Sequence, residues 1–179
     1  MQIGNLTFNP VGEDSVLVAS PVRKGVEENN LFESIFAAEI NPDFADTASF
    51  CEHYDISSGM GTNCLVLESK RGDKVWYAAC LILATDMADV NGAIRKQLNA
   101  RRVSFAPKDV ALSLTSMEYG SITPIGLPKD WTILVDSAIL QQEIVIAGGG
   151  TRNSKLAIKT SCFKTLPNVV IANITKLRN

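Results

Sequence analysis

Apolar and polar positions change their period several times along the chain, and each change marks an element. Ile3 to Phe8 reads as a short strand before Asn9-Pro10. Ser20-Pro21 reads as a helix start, serine as cap and proline at the first helical position, with Gly25 weakening the helix that follows. Phe32 to Ile40 alternates as a strand that Asn41-Pro42-Asp43 breaks, and Asp46-Thr47 opens a helix through Tyr54 with Phe50 as its main core contact. Ser57 to Thr62 is a glycine-rich loop. It feeds the clearest hairpin of the chain: Cys64 to Ser69, a turn at Lys70-Arg71-Gly72-Asp73, and Lys74 to Ala84. Thr85 to Asp89 leads into a helix over Val90 to Leu98, where Val90, Ala93, Ile94 and Leu98 recur at helical spacing. Arg101 to Phe105 predicts a short strand, and Pro107 starts a helix through about Ser116 with Val110, Ala111 and Leu114 inward.

The pattern then breaks. Glu118 to Trp131 is punctuated by Gly120, Pro124, Gly126 and Pro128, so it is neither a helix interior nor a central strand. It nevertheless carries Ile122, Ile125, Leu127 and Trp131, more apolar area than a solvated linker holds. Two readings fit this composition: the wall of a binding site, or a buried crossover between strands. Regular structure resumes with a buried strand at Thr132 to Asp136, a second strand at Glu143 to Ala147 and a turn at Gly148-Gly149-Gly150-Thr151-Arg152. Lys155 to Thr160 makes another strand, Ser161 to Leu166 a helical turn, and Asn168 to Ile174 a last apolar strand. Strands and helices mix without strict alternation or internal repeat. The expected fold class is mixed α/β, a curved mixed sheet or barrel-like core with helices around it, in one domain over residues 1–179 with a more acidic N-terminal extension over about 1–60.

A hydrophobic share of 46% with 20% charged residues suits an ordinary globular chain. No apolar run approaches the roughly 20 residues that span a bilayer, and the N-terminus lacks a signal peptide's basic and apolar regions, so the cytoplasm is the expected compartment. The net charge of −2 hides an asymmetry. Residues 1–60 hold ten carboxylates against Arg23 and Lys24, a balance of −8, while the rest holds fifteen basic residues against nine acids, or +6. A basic C-terminal two thirds suits a phosphate-bearing partner, and the total charge argues against indiscriminate nucleic-acid binding.

Few residues offer ionisable chemistry. Cys51, Cys64, Cys80 and Cys162 are scattered without a close pair, which argues against a zinc site or disulfide framework, and Cys64 and Cys80 fall in apolar strands. The single histidine, His53, lies on a predicted helix as a partly exposed side chain. Asp136 ends an apolar strand, where the Ser-Ala-Ile-Leu that follows makes it a helix cap, a site-orienting group or an ion-pair partner, the cap being best supported. The turn from Gly148 through Lys155 joins backbone amides to two cations and reads either as an anion-binding turn or as a plain hairpin turn. Arg95, Lys96, Arg101, Arg102 and Lys108 form a second basic cluster, with Phe105 and Tyr119 as the nearby aromatic residues.

The order of these features (a tyrosine-glycine loop with Thr-Pro-Ile-Gly, a strand ending in Val-Asp, a strand, a triple-glycine turn and Ser-Lys-Leu) resembles the YbaK/EbsC family, free-standing relatives of the editing domain of prolyl-tRNA synthetase. The resemblance covers about the last two thirds of the chain, from near Asn63 onward. It implies hydrolysis, in trans, of the ester joining a wrong amino acid to the terminal adenosine of a tRNA. Such an ester is intrinsically labile, so placing it with a water and stabilising the oxyanion suffices. The implied catalytic positions are Asn63 and the loop Gly120, Ser121, Ile122, Thr123 and Pro124. Ser121 stands where relatives more often have a second glycine, and Asn63 stands where they typically carry a lysine. Lys70 and Lys155 are candidates to supply the missing charge, though no spacing places either one there. The implied substrate-binding positions are Tyr119, Gly126, Asp136, Gly148, Gly149, Gly150, Thr151 and Arg152. The expected partner is the aminoacylated 3' end of tRNA, with an aminoacyl-tRNA synthetase as a second candidate through the acidic N-terminal third. Neither DNA nor a membrane is expected, and no cofactor or metal is required. The alternative is a non-catalytic pocket protein that binds an aminoacyl-adenosine, a nucleotide or the tRNA end, because position 63 has lost its charge.

Overall fold

The computed structural model describes residues 1–176. The N-terminal segment is a small ribbon rather than one strand: β1 (Gln2–Ile3) and β2 (Leu6–Thr7) pair antiparallel, and β3 (Asn9–Pro10) pairs with β4 (Ile35–Glu39). Between them α1 (Ser20–Glu28) begins one residue earlier than the sequence predicts, with Ser20 inside the helix and Pro21 in its first turn. Its cap position is Ala19, however, and no side chain serves as cap. Val22, Gly25 and Val26 form its buried face at helical spacing. Asn41 accepts a hydrogen bond from the Asp43 amide at 3.0 Å and turns the chain into α2 (Thr47–His53), whose Phe50 and Cys51 point inward.

The central hairpin is longer than the alternation alone implies. β5 (Thr62–Arg71) and β6 (Lys74–Leu83) stay in register from Thr62↔Leu83 to Arg71↔Lys74, so the turn narrows to Gly72-Asp73. β7 (Met87–Ala88) follows, and the helix expected over Val90 to Leu98 shrinks to a π-turn at Val90–Ile94 and the single turn α3 (Arg95–Gln97). The Asp89 carboxylate accepts from the Ala93 amide at 2.7 Å, which competes with the ordinary helical pairing. β8 (Arg102–Phe105) lies on the edge beside β5, and α4 (Lys108–Thr115) follows it. α4 buries Ala111 and Thr115, whereas Leu114, expected inward, is exposed. The Thr115 hydroxyl donates to the Ala111 carbonyl at 2.8 Å, so its polar group is satisfied within the helix.

β9 (Thr132–Asp136), β10 (Ile144–Gly148), β11 (Ser154–Lys159), β12 (Val169–Ala172) and β13 (Thr175–Lys176) complete the fold. The larger sheet has the order β12-β9-β6-β5-β8, with β9 parallel to both β6 and β12. The smaller sheet, β10-β11-β4-β3, is antiparallel throughout. The two sheets meet at a bridge between Gly61 and Ile146, where the Thr62 hydroxyl donates to the Ile146 carbonyl at 2.8 Å. They stay separate sheets and do not close into a barrel among the described residues.

Strand periodicity explains the packing. Ala79 and Leu81 of β6, with Ile133 and Val135 of β9, face a core shared with Val145 and Ala147 of β10, Leu156 and Ile158 of β11, and Val22 and Val26 of α1. Ala78, Cys80 and Ile82 face the opposite side, against Ile94 and Leu98. From Ala78 to Leu83 β6 is therefore buried on both faces, which is why that part reads as a continuous apolar run. The acidic first sixty residues supply β3, β4 and α1 to these layers. No helix of the described residues is long and apolar enough to cross a membrane.

Candidate functional site

The Glu118–Trp131 loop is bound to the triple-glycine turn by its own backbone. The Glu118 amide donates to Gly150 O at 2.8 Å, the Gly150 amide to Ser121 O at 2.8 Å, and the Ser121 amide to Glu118 O at 3.0 Å. Gly120, at φ +76°, occupies the left-handed region that this reversal needs. Gly148, at the end of β10, lies so close to Ser121 that a side chain there would overlap the Ser121 carbonyl and Cα. These contacts use up the amide of Ser121. Among the described residues, the amides of Gly120 and Ile122 meet no protein acceptor.

Gly120 and Ile122 line a cavity of about 480 Å³. One wall is β5 from Thr62 to Val66, and another is Gly120, Ile122 and Gly148. Asp46 and Thr47 from the start of α2 and Lys155 from β11 line it too, and Phe105, Lys108 and Tyr119 flank it. Phe105 and Tyr119 are 60% and 59% exposed, and the Lys108 ammonium sits over the Tyr119 ring at 4.1 Å. Asn63 accepts from the Thr47 hydroxyl through Oδ1 at 3.3 Å, which leaves its NH₂ group without a protein acceptor among the described residues. Loop and hairpin, distant in sequence, thus line one cavity.

Lys155 is the residue that sequence reasoning could not place. It is only 5% exposed, donates to the Ala45 carbonyl at 2.7 Å, and lies 5.0 Å from the centre of the Phe50 ring. No carboxylate comes within ion-pair distance of it among the described residues. Burial pulls its pKa down to about 8, Arg152 adds to that, and Cys51 and Asp46 oppose it. The folded value is below lysine's ordinary 10.5, so the cost of burying the charge is fully present below pH 8. Between the two values only the unfolded chain holds the proton, and the cost fades as pH rises. Lys155→Met is therefore expected to stabilise the fold by about 1–3 kcal/mol at pH 7. The gap to the native protein should shrink by pH 10, as urea denaturation at both pH values would measure.

The thiols and the histidine stay out of this chemistry. Burial, with Cys80 adding to it, pushes the Cys64 thiol above its ordinary value and keeps it protonated at the cavity wall. His53 is exposed and stacks on Phe44 with ring centres 3.7 Å apart.

The remaining candidates divide by location. Ser121 and Thr123 are buried outside the cavity lining, and the Thr123 hydroxyl has no partner among the described residues. Pro124 and Gly126 face a different groove, of about 450 Å³, formed with Pro21, Lys24 and Glu28 of α1. Asp136 is buried away from the cavity; its Oδ1 accepts from the Ala138 amide at 2.9 Å and its Oδ2 from the Ile174 amide at 2.8 Å. The amides of Gly149 and Gly150 are taken by Ser154 O and Ser121 O, so the turn offers packing rather than open donors. Thr151 donates to Leu17 O at 2.9 Å. Arg152 donates its amide to the Glu118 carboxylate and its guanidinium to the carbonyls of Tyr119 at 3.2 Å and Pro42 at 3.1 Å, fixing the backbone of the rim. Of the second basic cluster, Lys108 reaches the cavity; Arg95 instead donates to Asn91 O at 2.9 Å, and Arg102 sits on the edge strand β8.

Solved structures share this architecture. A candidate trans-editing enzyme for prolyl tRNA synthetase matches at TM-score 0.75 and 16% identity, over 88% of this chain and 96% of the other. A chain from work on grafting linear epitopes onto scaffold proteins matches at TM-score 0.76 and 17% identity, over 89% and 97%. A candidate signal transduction protein from Marinobacter aquaeolei VT8 matches at TM-score 0.59 and 16% identity, over 87% of this chain and 30% of that longer one. At these identities the likenesses establish the fold. The family model described as the aminoacyl-tRNA editing domain matches residues 41–166, a span that contains every residue lining the 480 Å³ cavity. The chain therefore belongs to the aminoacyl-tRNA editing domain family.

Proposed function

We propose that the protein hydrolyses, in trans, the ester between a wrong amino acid and the terminal adenosine of a tRNA, in the cavity between Asn63 and Gly120. The observation that carries this reading is that Gly120 and Ile122, whose amides meet no protein acceptor among the described residues, line one cavity with Asn63, whose NH₂ group is likewise unengaged there, on a loop braced by Gly148. Hydrogen-bond donors already fixed around an empty space suit an ester carbonyl whose oxygen gains charge in the transition state. The loop needs no titrating side chain for that task. Ser121 and Thr123 are buried outside the cavity lining, and the volume suits an aminoacyl ribose rather than a folded RNA segment.

The rim fits the rest of such a substrate. Phe105 and Tyr119 present exposed rings beside Lys108, and base stacking on an aromatic side chain contributes about 1–3 kcal/mol. Tyr119→Ala is expected to raise KM about tenfold with kcat within about twofold, because stacking on the rim is the same in ground and transition states. Steady-state kinetics on aminoacylated tRNA measure this split.

A second reading, binding without turnover, rests on Asn63, a neutral amide where the YbaK/EbsC resemblance implies a lysine. A panel of mischarged tRNAs separates the two. The hydrolase reading expects acceleration over spontaneous ester loss for at least one small amino acid. Binding of the aminoacylated end with no acceleration anywhere would overturn it in favour of capture alone.

A further inference from the structure

We infer that Lys155, which lines the same cavity as Asn63, supplies the positive charge that stabilises the ester oxyanion. This inference rests on the hydrolase reading and names the residue that reading lacks.

The argument starts from position. In β11 the residues around Lys155 are Ser154, Leu156, Ala157 and Ile158, all buried, and the strand lies between β10 and β4. A lysine in such a strand would ordinarily be replaced by an apolar residue, since burying an ammonium costs several kcal/mol before any partner offsets it. Here the offset is partial: one carbonyl, Ala45 O, and the face of Phe50. An ammonium has three N–H donors, and among the described residues one is used. Lys155 and Gly148 are direct cross-strand partners, and Gly148 carries the loop whose amides are free. Lys155 and the loop that packs on Gly148 therefore line one cavity.

The other charged groups at the cavity do not fill this role. Lys108 is exposed at the rim and engaged with the Tyr119 ring. Lys70 pairs with Glu68 at 2.8 Å, outside the cavity lining. The titratable groups facing Lys155 are Asp46 and Cys51 from α2, and Arg152 from the turn; Cys64 lines the same cavity from β5. Of these Cys51 and Asp46 favour the protonated amine, and Asp46 is exposed and caps no helix amide with its side chain.

The chemistry balances without a cofactor. Water adds to the ester carbonyl carbon, and the oxyanion that forms is held between the Lys155 ammonium and the loop amides. As it collapses, the bond from carbon to the ribose oxygen breaks. One proton from the water goes to the departing ribose oxygen and the other to solvent, which leaves the free amino acid and the tRNA hydroxyl. Lys155 keeps its proton throughout.

Three variants and one titration test this. At pH 7, Lys155→Met is expected to lower kcat on the best mischarged tRNA at least 100-fold without lowering Tm, while Lys155→Arg retains part of the rate. The protein-dependent rate should fall above about pH 8 in the native protein, as burial leaves Lys155 with a pKa near that value, and should persist to higher pH in Lys155→Arg. Asn63→Ala, which removes a neutral donor, should cost less than Lys155→Met. If the native protein is active and Lys155→Met stays within threefold of it, the assignment is overturned while the hydrolase reading stands. If the native protein accelerates no ester, the hydrolase reading fails. Calorimetry with a non-hydrolysable aminoacyl-adenosine analogue then decides on Lys155: an affinity unchanged in Lys155→Met, or no binding at all, overturns the assignment.

Discussion

Gly148→Ala is expected to reduce ester hydrolysis at least 100-fold and to destabilise the fold by about 2–3 kcal/mol. The added methyl group would overlap the carbonyl and Cα of Ser121, which are backbone atoms without a rotamer to escape into. Relief requires that the loop lift away from the end of β10. That movement breaks the Gly150 amide's bond to Ser121 O and displaces the amides of Gly120 and Ile122 from the cavity wall. A shift of about 1 Å in groups that meet a developing charge is costly by itself, because catalysis of this kind depends on donors fixed before the reaction. Gly12→Ala is the control: no atom lies within 4 Å of a Cβ built there, and its stability should stay within about 0.5 kcal/mol of native. Thermal unfolding and kcat/KM on one mischarged tRNA would measure both effects. An active Gly148→Ala protein would mean that the loop does not need its observed position.

The second large effect belongs to Asp136, and it is structural. Asp136→Ala is expected to cost about 3 kcal/mol in urea denaturation, since two amides, those of Ala138 and Ile174, lose their acceptors at once. The carboxylate holds the turn after β9 with one oxygen and ties down the chain before β13 with the other. Asp136→Asn keeps one carbonyl acceptor and should lose about half as much. A loss below about 1 kcal/mol for the alanine variant would show that water replaces these bonds. Because Asp136 lies apart from the cavity, kcat of the folded fraction should change little.

What the sequence conveyed, and what it withheld, follows from the range of the forces involved. The β5/β6 hairpin was legible because alternation and Gly72-Asp73 are local signals, and the cap at Asp136 was legible because its partner Ala138 is two residues away. The second partner of Asp136, Ile174, is 38 residues on and left no trace in the pattern. The loop from Gly120 to Trp131 was visible from its glycines and prolines. Its division between two grooves was not, because Pro124 and Gly126 meet α1 only in three dimensions. Leu114 was expected inward, yet α4 turns Thr115 in instead, through a hydroxyl bond that apolar periodicity does not register. Lys155 was the hardest. In sequence it is one of two cations after a glycine turn, and only the pairing of β11 with β10 and β4 beneath α2 makes it a buried ammonium at a cavity.

The most direct measurement of the central claim is a crystal structure with a non-hydrolysable aminoacyl-adenosine analogue. The account predicts the carbonyl oxygen between the amides of Gly120 and Ile122 and the Lys155 ammonium, with the Asn63 amide on the aminoacyl group and the base at Tyr119 and Phe105. An analogue seated instead in the groove between α1 and Pro124 to Pro128, with the Asn63 cavity empty, would contradict it.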